Sequence, residues 1–194
     1  KCDDYWIPDT FGPNYGESKV GFEPFPSNLF AINSTETFTN KKYYLSSDIT
    51  IAATKTLVLE GCQLAIALGR EITVESGGTL TITFENTSVM NTSHLFACDQ
   101  MWQGITVNAG GSLILNGYLT GSVNNHCKIE NAEIAVNAVG NGSNVTDEPT
   151  IHVSHTAFNN NLIGIQMTDD EYGTSFIAYN YFECESEFLT KGPH

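Results

Sequence analysis

Three features of this 194-residue chain invite a chemical reading: an acidic triplet, a pair of histidines and a tryptophan set among amides and glycine. Asp169-Asp170-Glu171 is the densest carboxylate cluster. It follows the strand-like Ile163–Met167 and precedes Gly173, which puts it on a turn. Oxygen ligands on a loop suit Ca²⁺, although the spacing of an EF-hand is absent and an acidic turn in solvent is the competing reading. Trp102, in Gln100-Met-Trp-Gln-Gly, is the candidate ligand-binding residue. On an exposed face its indole would stack on a sugar ring; at a coil corner it would pack into the core, as large aromatics mostly do. His152 and His155 lie three apart, so on a strand they face opposite sides, and a shared metal needs a local bend. His126 and its neighbour Cys127 diverge for the same reason.

No catalytic residue emerges from the types and spacings. Polysaccharide lyases need clustered Ca²⁺-binding carboxylates beside a base, and glycoside hydrolases need paired carboxylates on one face. Arg70, the only arginine, sits in the Gly69–Glu71 turn, and no Asp cluster has a neighbouring Lys. A Gly-x-Ser-x-Gly elbow is missing, and Gly140-Asn-Gly-Ser does not join a strand to a helix as a phosphate cradle must. Cys2, Cys62, Cys98, Cys127 and Cys184 are widely spread with no CxxC pair, which disfavours zinc. Their odd number leaves a thiol unpaired within the chain. Buried thiols are expected at Cys62, Cys127 and Cys184, with one disulfide open to Cys2 or Cys98.

The net charge of −14 repels phosphate backbones and anionic lipid, which argues against nucleic acid and membrane surfaces as partners and leaves cations as counter-species. No apolar run approaches the ~20 residues of a membrane span. With 41% hydrophobic residues the chain can bury a core. Its abundant Asn, Thr, Ser and Gly suit short strands and frequent turns rather than long helices.

The elements that must position these side chains are legible as an internal repeat. Glu71-Ile-Thr-Val-Glu-Ser-Gly-Gly-Thr-Leu-Thr-Ile matches Gly104-Ile-Thr-Val-Asn-Ala-Gly-Gly-Ser-Leu-Ile-Leu, with Ile72 on Ile105, Val74 on Val107 and Leu80 on Leu113 at an offset of 33. Ile129–Val136 maps onto Phe158–Ile165 at an offset of 29, and Val153–Phe158 onto Ile177–Phe182 at 24. A chain that returns to the same place at a roughly constant length stacks its inward residues at the ~4.8 Å strand spacing, each coil burying its face against its neighbours. The expected inward set is Val74, Leu80, Ile82, Ile105, Val107, Leu113, Ile129, Ile134, Val136, Phe158, Ile163 and Ile165. Asn131, Asn159, Asn160 and Asn161 stand where tight corners are expected, since Asn tolerates left-handed backbone.

Met101–Val107, Ala109–Leu113 and Ile129–Val136, followed by Phe158–Ile165, resemble the right-handed parallel β-helix proteins of Bacteroidetes-type bacteria, of the pectate-lyase-like superfold. The resemblance covers about residues 56–185. It implies an all-β right-handed solenoid and an exported protein, secreted or displayed at the cell surface, often by the type IX route. A non-catalytic display or adhesion module in a longer chain is the function it implies, and a carbohydrate-active lyase- or hydrolase-like β-helix is the alternative. No cofactor is required; Ca²⁺ is the candidate ion and a glycan the candidate ligand.

Residues 1–42 read as an irregular segment rich in aromatics and proline, and 43–194 as the β-helix. Trp6, Phe11, Phe22, Phe25 and Phe30 are expected to cover apolar surface at an end or side of the coil, because proline resists strand pairing. The repeat still runs at Phe182, so the last coil is expected to be covered by further polypeptide or by a partner protein.

Overall fold

A computed structural model describes residues 22–85, 91–97, 101–118, 126–142, 147–168 and 174–184. Its described strands are short, and their sequences alternate apolar and polar residues. In Glu71–Val74, Ile72 and Val74 are fully buried while Thr73 is not, as a strand with one face in a core requires.

The chain runs repeatedly through three sheets, A, B and C, in that order. The first coil is β1 (Glu23–Pro24), β2 (Ala31–Ile32) and β3 (Glu36–Thr39). The second is β4 (Lys42–Leu45), β5 (Ile49–Ile51) and β6 (Thr56–Glu60), and the third β7 (Gln63–Ile66), β8 (Glu71–Val74) and β9 (Thr79–Thr83). The fourth is β10 (His94–Phe96), β11 (Trp102–Asn108) and β12 (Ser112–Asn116). The fifth is β13 (Cys127–Glu130), β14 (Ala132–Val139) and β15 (Thr150–Ser154). The sixth is β16 (Thr156–Asn159), β17 (Ile163–Thr168) and β18 (Phe176–Ala178), and β19 (Tyr181–Glu183) opens a seventh. Each strand pairs in parallel with its counterpart one coil on, giving sheets of seven, six and six strands. The fold is all-β, and this parallel stacking is that of a β-helix solenoid.

The repeat offsets are the pairing registers. Ile72 lies opposite Ile105 and Leu80 opposite Leu113; Ile129 lies opposite Phe158 and Val136 opposite Ile165; Val153 lies opposite Ile177 and Phe158 opposite Phe182. The core is the set of columns so formed, and nine of the twelve expected inward residues are buried there. Ile165 packs against the core half-buried. Ile134 and Ile163 do not belong to it: Ile163 is 38% exposed and Ile134 half-buried. The pairing of β11 with β14 shifts register between Gly104 and Ile105, so that Gly104 faces Ile134 and Ile105 faces Val136. This bulge puts Ala135, not Ile134, in the core, since one extra residue reverses the facing of a strand.

Corners repeat as well. Between sheets B and C, Gly77 (φ +75°) and Gly110 (φ +78°) stack in left-handed backbone, and the Gly77 N–H donates to the Gly110 carbonyl at 2.8 Å. Between A and B, Asn131 and Asn160 take φ of 57° and 53°, as their residue type allows. Where sheet C feeds sheet A, register aligns Cys62, Ser93, Cys127, Thr156 and Asn180 in one column. Each donates to a carbonyl: Cys62 Sγ to Phe38 at 3.2 Å, Ser93 Oγ to Leu59 at 3.0 Å, Cys127 Sγ to Asn116 at 3.6 Å, Thr156 Oγ1 to Ser154 at 3.2 Å and Asn180 Nδ2 to Val153 at 3.0 Å. Cys62 and Cys127 are therefore corner donors. Two rungs apart, about 10 Å, they are too far for a disulfide, and both are free. Burial raises the Cys62 thiol and pushes Cys127 up to about 12, so neither supplies thiolate at neutral pH. Cys184 is exposed rather than buried; Cys2 and Cys98 lie outside the described residues.

The coil starts earlier than composition suggests. Strands β1 to β3 pair with the second coil, so residues 23–39 belong to the solenoid and not to an irregular segment. Pro24 is tolerated because β1 is an outermost strand. Phe25 is buried and plugs the first coil, its ring meeting Phe30, Phe38 and Tyr43 at centroid distances of 6.3, 5.7 and 5.4 Å. Phe22 is buried on the outer face of sheet A over small Ala65, edge-on to Phe96. Phe30 is half-buried, and Trp6 and Phe11 fall outside the described residues.

Candidate functional site

The outer face of sheet A carries the most organised polar group among the described residues. It alternates with the core face: in β13, Cys127 and Ile129 are buried while Lys128 and Glu130 point out. Register sets His94 beside Lys128, and Glu130 between Phe96 and Asn159. His94 Nε2 lies 2.6 Å from Glu130 Oε2, and Asn159 Nδ2 donates to Glu130 Oε1 at 2.9 Å. The His94 ring also lies 4.6 Å from that of Phe96. One carboxylate thus ties together coils four, five and six.

Burial alone would raise the Glu130 carboxyl. The His94 hydrogen bond and charge, with help from Asn159 and Lys128, overcome this and hold it down at about 2. A general acid needs its carboxyl drawn up towards the working pH, and a base this weak accepts protons poorly, so the arrangement serves as a clasp better than as an acid–base catalyst. A carboxyl lowered from its ordinary 4.5 to about 2 stabilises the fold fully above pH 4.5 and loses that contribution as pH falls towards 2. Glu130→Gln is expected to lower stability at pH 7 by about 1.5–3 kcal/mol, the worth of a charge-assisted hydrogen bond. It should also flatten the acid loss between pH 4.5 and 2. Thermal unfolding across that range checks both.

Trp102 lies directly behind this group. It is fully buried, faces small Ala132 across the ladder, and donates its indole N–H to the Glu130 carbonyl at 3.0 Å. An indole with no open face cannot stack on a sugar, so Trp102 is a packed corner residue rather than a ligand platform. Asp169, Asp170 and Glu171 lie outside the described residues, in the connection from β17 to β18. His152 points outward with Nε2 3.3 Å from the Thr174 carbonyl. His155 occupies the next corner in left-handed backbone (φ 49°), between the rings of His126 at 5.9 Å and Tyr179 at 5.2 Å. The two histidines thus face different surroundings, as strand geometry requires. Among the described residues no group of three or more His, Cys, Asp or Glu side chains is placed to hold a metal.

The offset of 29 that pairs Ile129 with Phe158 also pairs Glu130 with Asn159, so that half of the clasp is legible in the repeat. His94 is not: it lies opposite Lys128 at an offset of 34, and the residues around it belong to none of the repeats legible in the sequence. No protein-family model matches the chain, and no curated protein or solved structure does either.

Proposed function

We propose that this chain is a non-catalytic, right-handed β-helical module of an exported protein, serving display or adhesion at a cell surface as part of a longer, type IX-secreted polypeptide of the Bacteroidetes kind. Right-handed winding is the sense in which twisted parallel strands of L-residues connect. No helix among the described residues is long and apolar enough to cross a membrane.

The observation that carries this reading is the contrast between the two ends. The first coil is closed by the Phe25 cluster. The last coils expose Leu162, Met167, Phe176, Ile177, Tyr181 and Phe182 among the described residues, Phe182 at 55%. Its ring lies 4.9 Å from Phe158 in near-parallel stack, continuing an interior column to the surface. Among the described residues, β17, β18 and β19 are the outermost strands at this end, and their core-type side chains suit an added coil, from the same polypeptide or a partner protein.

The chain alone is expected to self-associate with rising concentration in analytical ultracentrifugation. Phe176→Lys with Phe182→Lys should make it monomeric with little change in melting temperature. A wild-type chain monomeric throughout, together with polysaccharide turnover abolished by a single carboxylate substitution, contradicts the reading. One observation favours contact with an uncharged glycan. The outward side chains of β6, β9, β12 and β15 are mainly hydroxyls, including Thr56, Thr79, Thr81, Thr83, Ser112 and Thr150, with Glu60 their one carboxylate.

A further inference from the structure

We propose that Asn141-Gly142 is a site of spontaneous covalent modification, where the Asn141 side-chain amide is converted to aspartate and isoaspartate with water as the co-reactant. Asn is among the thermolabile residues, and a following glycine leaves the backbone freest to react. The chain holds two such pairs, Asn116-Gly117 and Asn141-Gly142. The dipeptide is the same; the fold makes the two different. Asn141 and Gly142 lie just beyond β14 and are both exposed. Ladder bonding to the sixth coil reaches Gly140, whose N–H donates to the Thr168 carbonyl at 2.8 Å. Beyond it, the Gly142 N–H meets no acceptor among the described residues. Gly142 takes φ +64°, and no atom lies within 4 Å of where a Cβ would stand, so its nitrogen is approachable and its backbone has room to turn.

The reaction joins these two residues. The Gly142 backbone nitrogen gives up its proton and attacks Cγ of Asn141. The new C–N bond closes a cyclic imide. The Cγ–Nδ2 bond breaks, and the side-chain nitrogen leaves as ammonia, taking up a proton. Water then adds to either imide carbonyl. Opening at Cγ yields aspartate. Opening at the backbone carbonyl yields isoaspartate, which routes the chain through the side chain. Either product adds a negative charge to the net charge of −14. Asn116-Gly117 is barred from the same path. The Gly117 N–H donates to the Ser154 carbonyl at 3.0 Å, and Asn116 Oδ1 accepts from Ser154 Oγ at 3.0 Å. Gly117 is also packed so closely that a Cβ there would run into the His155 carbonyl oxygen. A nitrogen held in the ladder cannot turn onto the neighbouring side chain until the strands open locally.

The test stores the full folded chain in mildly alkaline buffer and follows both pairs by peptide mapping, with mass spectrometry and an isoaspartyl-specific methyltransferase. Asn141 should convert, with isoaspartate among the products. Asn116 should convert more slowly by at least about tenfold, the factor carried by opening two hydrogen bonds of ordinary net strength. In denaturant, where no ladder protects Asn116, the two pairs should convert at similar rates. Asn141→Gln should remove the first acidic variant that ion exchange resolves in the stored wild type, because the longer side chain closes an imide far less readily. Asn141 still intact in the folded chain after it has converted in denaturant overturns the proposal. So does Asn116 converting as fast as Asn141 in the folded chain, or the same acidic variant arising in Asn141→Gln.

Discussion

Replacing Gly104 by alanine is expected to cost upwards of about 4 kcal/mol, at the exceptional end for a single substitution. For a chain of this length that lowers the melting temperature by roughly 10 °C or more. Gly104 takes φ +109°, where a side chain is strained, and a Cβ there would stand 1.7 Å from the Ile134 carbonyl oxygen and 2.7 Å from its carbon. Both atoms are backbone, held in the ladder between β11 and β14, so neither can swing aside. Relief requires breaking the bulge, and the bulge sets which residues of β14 enter the core. Gly69→Ala is the control. Its φ of +64° carries a similar conformational penalty, but no atom lies within 4 Å, and the loss should stay near about 1 kcal/mol. Thermal unfolding of the two variants separates the clash from the backbone term; equal small losses would mean that the strands do not approach as described.

Trp102→Ala is expected to lose about 3–5 kcal/mol, the usual cost of truncating a buried aromatic. That is a large part of the 5–15 kcal/mol that holds a typical domain folded. The indole fills the corner between sheets A and B and is paired through its N–H to the Glu130 carbonyl. Phenylalanine should recover most of the packing and leave only that carbonyl unpaired, an expected loss of about 1–3 kcal/mol. Denaturant unfolding of both variants checks the order. A Trp102→Ala chain of unchanged stability but impaired glycan binding would instead place the indole on a surface.

The sequence discloses the coil because stacking couples repeat length to register: residues that share a column share a chemical type, as Ile72 and Ile105 or Val74 and Val107 do. What escapes it is whatever a single residue decides. The bulge at Gly104 reverses the facing of Ile134, and no periodicity announces it, because Ile134 and Ala135 are both apolar. The first coil was hidden by composition: Pro24 and Pro26 argue against strands in general but not at an outermost strand. The Glu130 clasp spans coils whose lengths differ through insertions, so His94 carries no repeat signal. Trp102 could not be assigned to surface or core from its neighbours, since glycine and glutamine suit both; the Ala132 that makes room for it lies 30 residues on.

Parallel stacking in the registers that the repeat offsets give is open to a direct test by pairwise cysteine cross-linking. In a background with Cys2, Cys98 and Cys184 changed to Ser, cysteines are introduced in pairs on the outer face of sheet C. Thr79 lies opposite Ser112 and Thr83 opposite Asn116. Adjacent parallel strands put such pairs about 4.8 Å apart, within the span of a disulfide. Thr79→Cys with Ser112→Cys, and Thr83→Cys with Asn116→Cys, should both close on mild oxidation, while Thr79→Cys with Asn116→Cys and Thr83→Cys with Ser112→Cys should stay open. Closure of the second two pairs and not the first would mean that these strands run antiparallel, and the coil would be wrong.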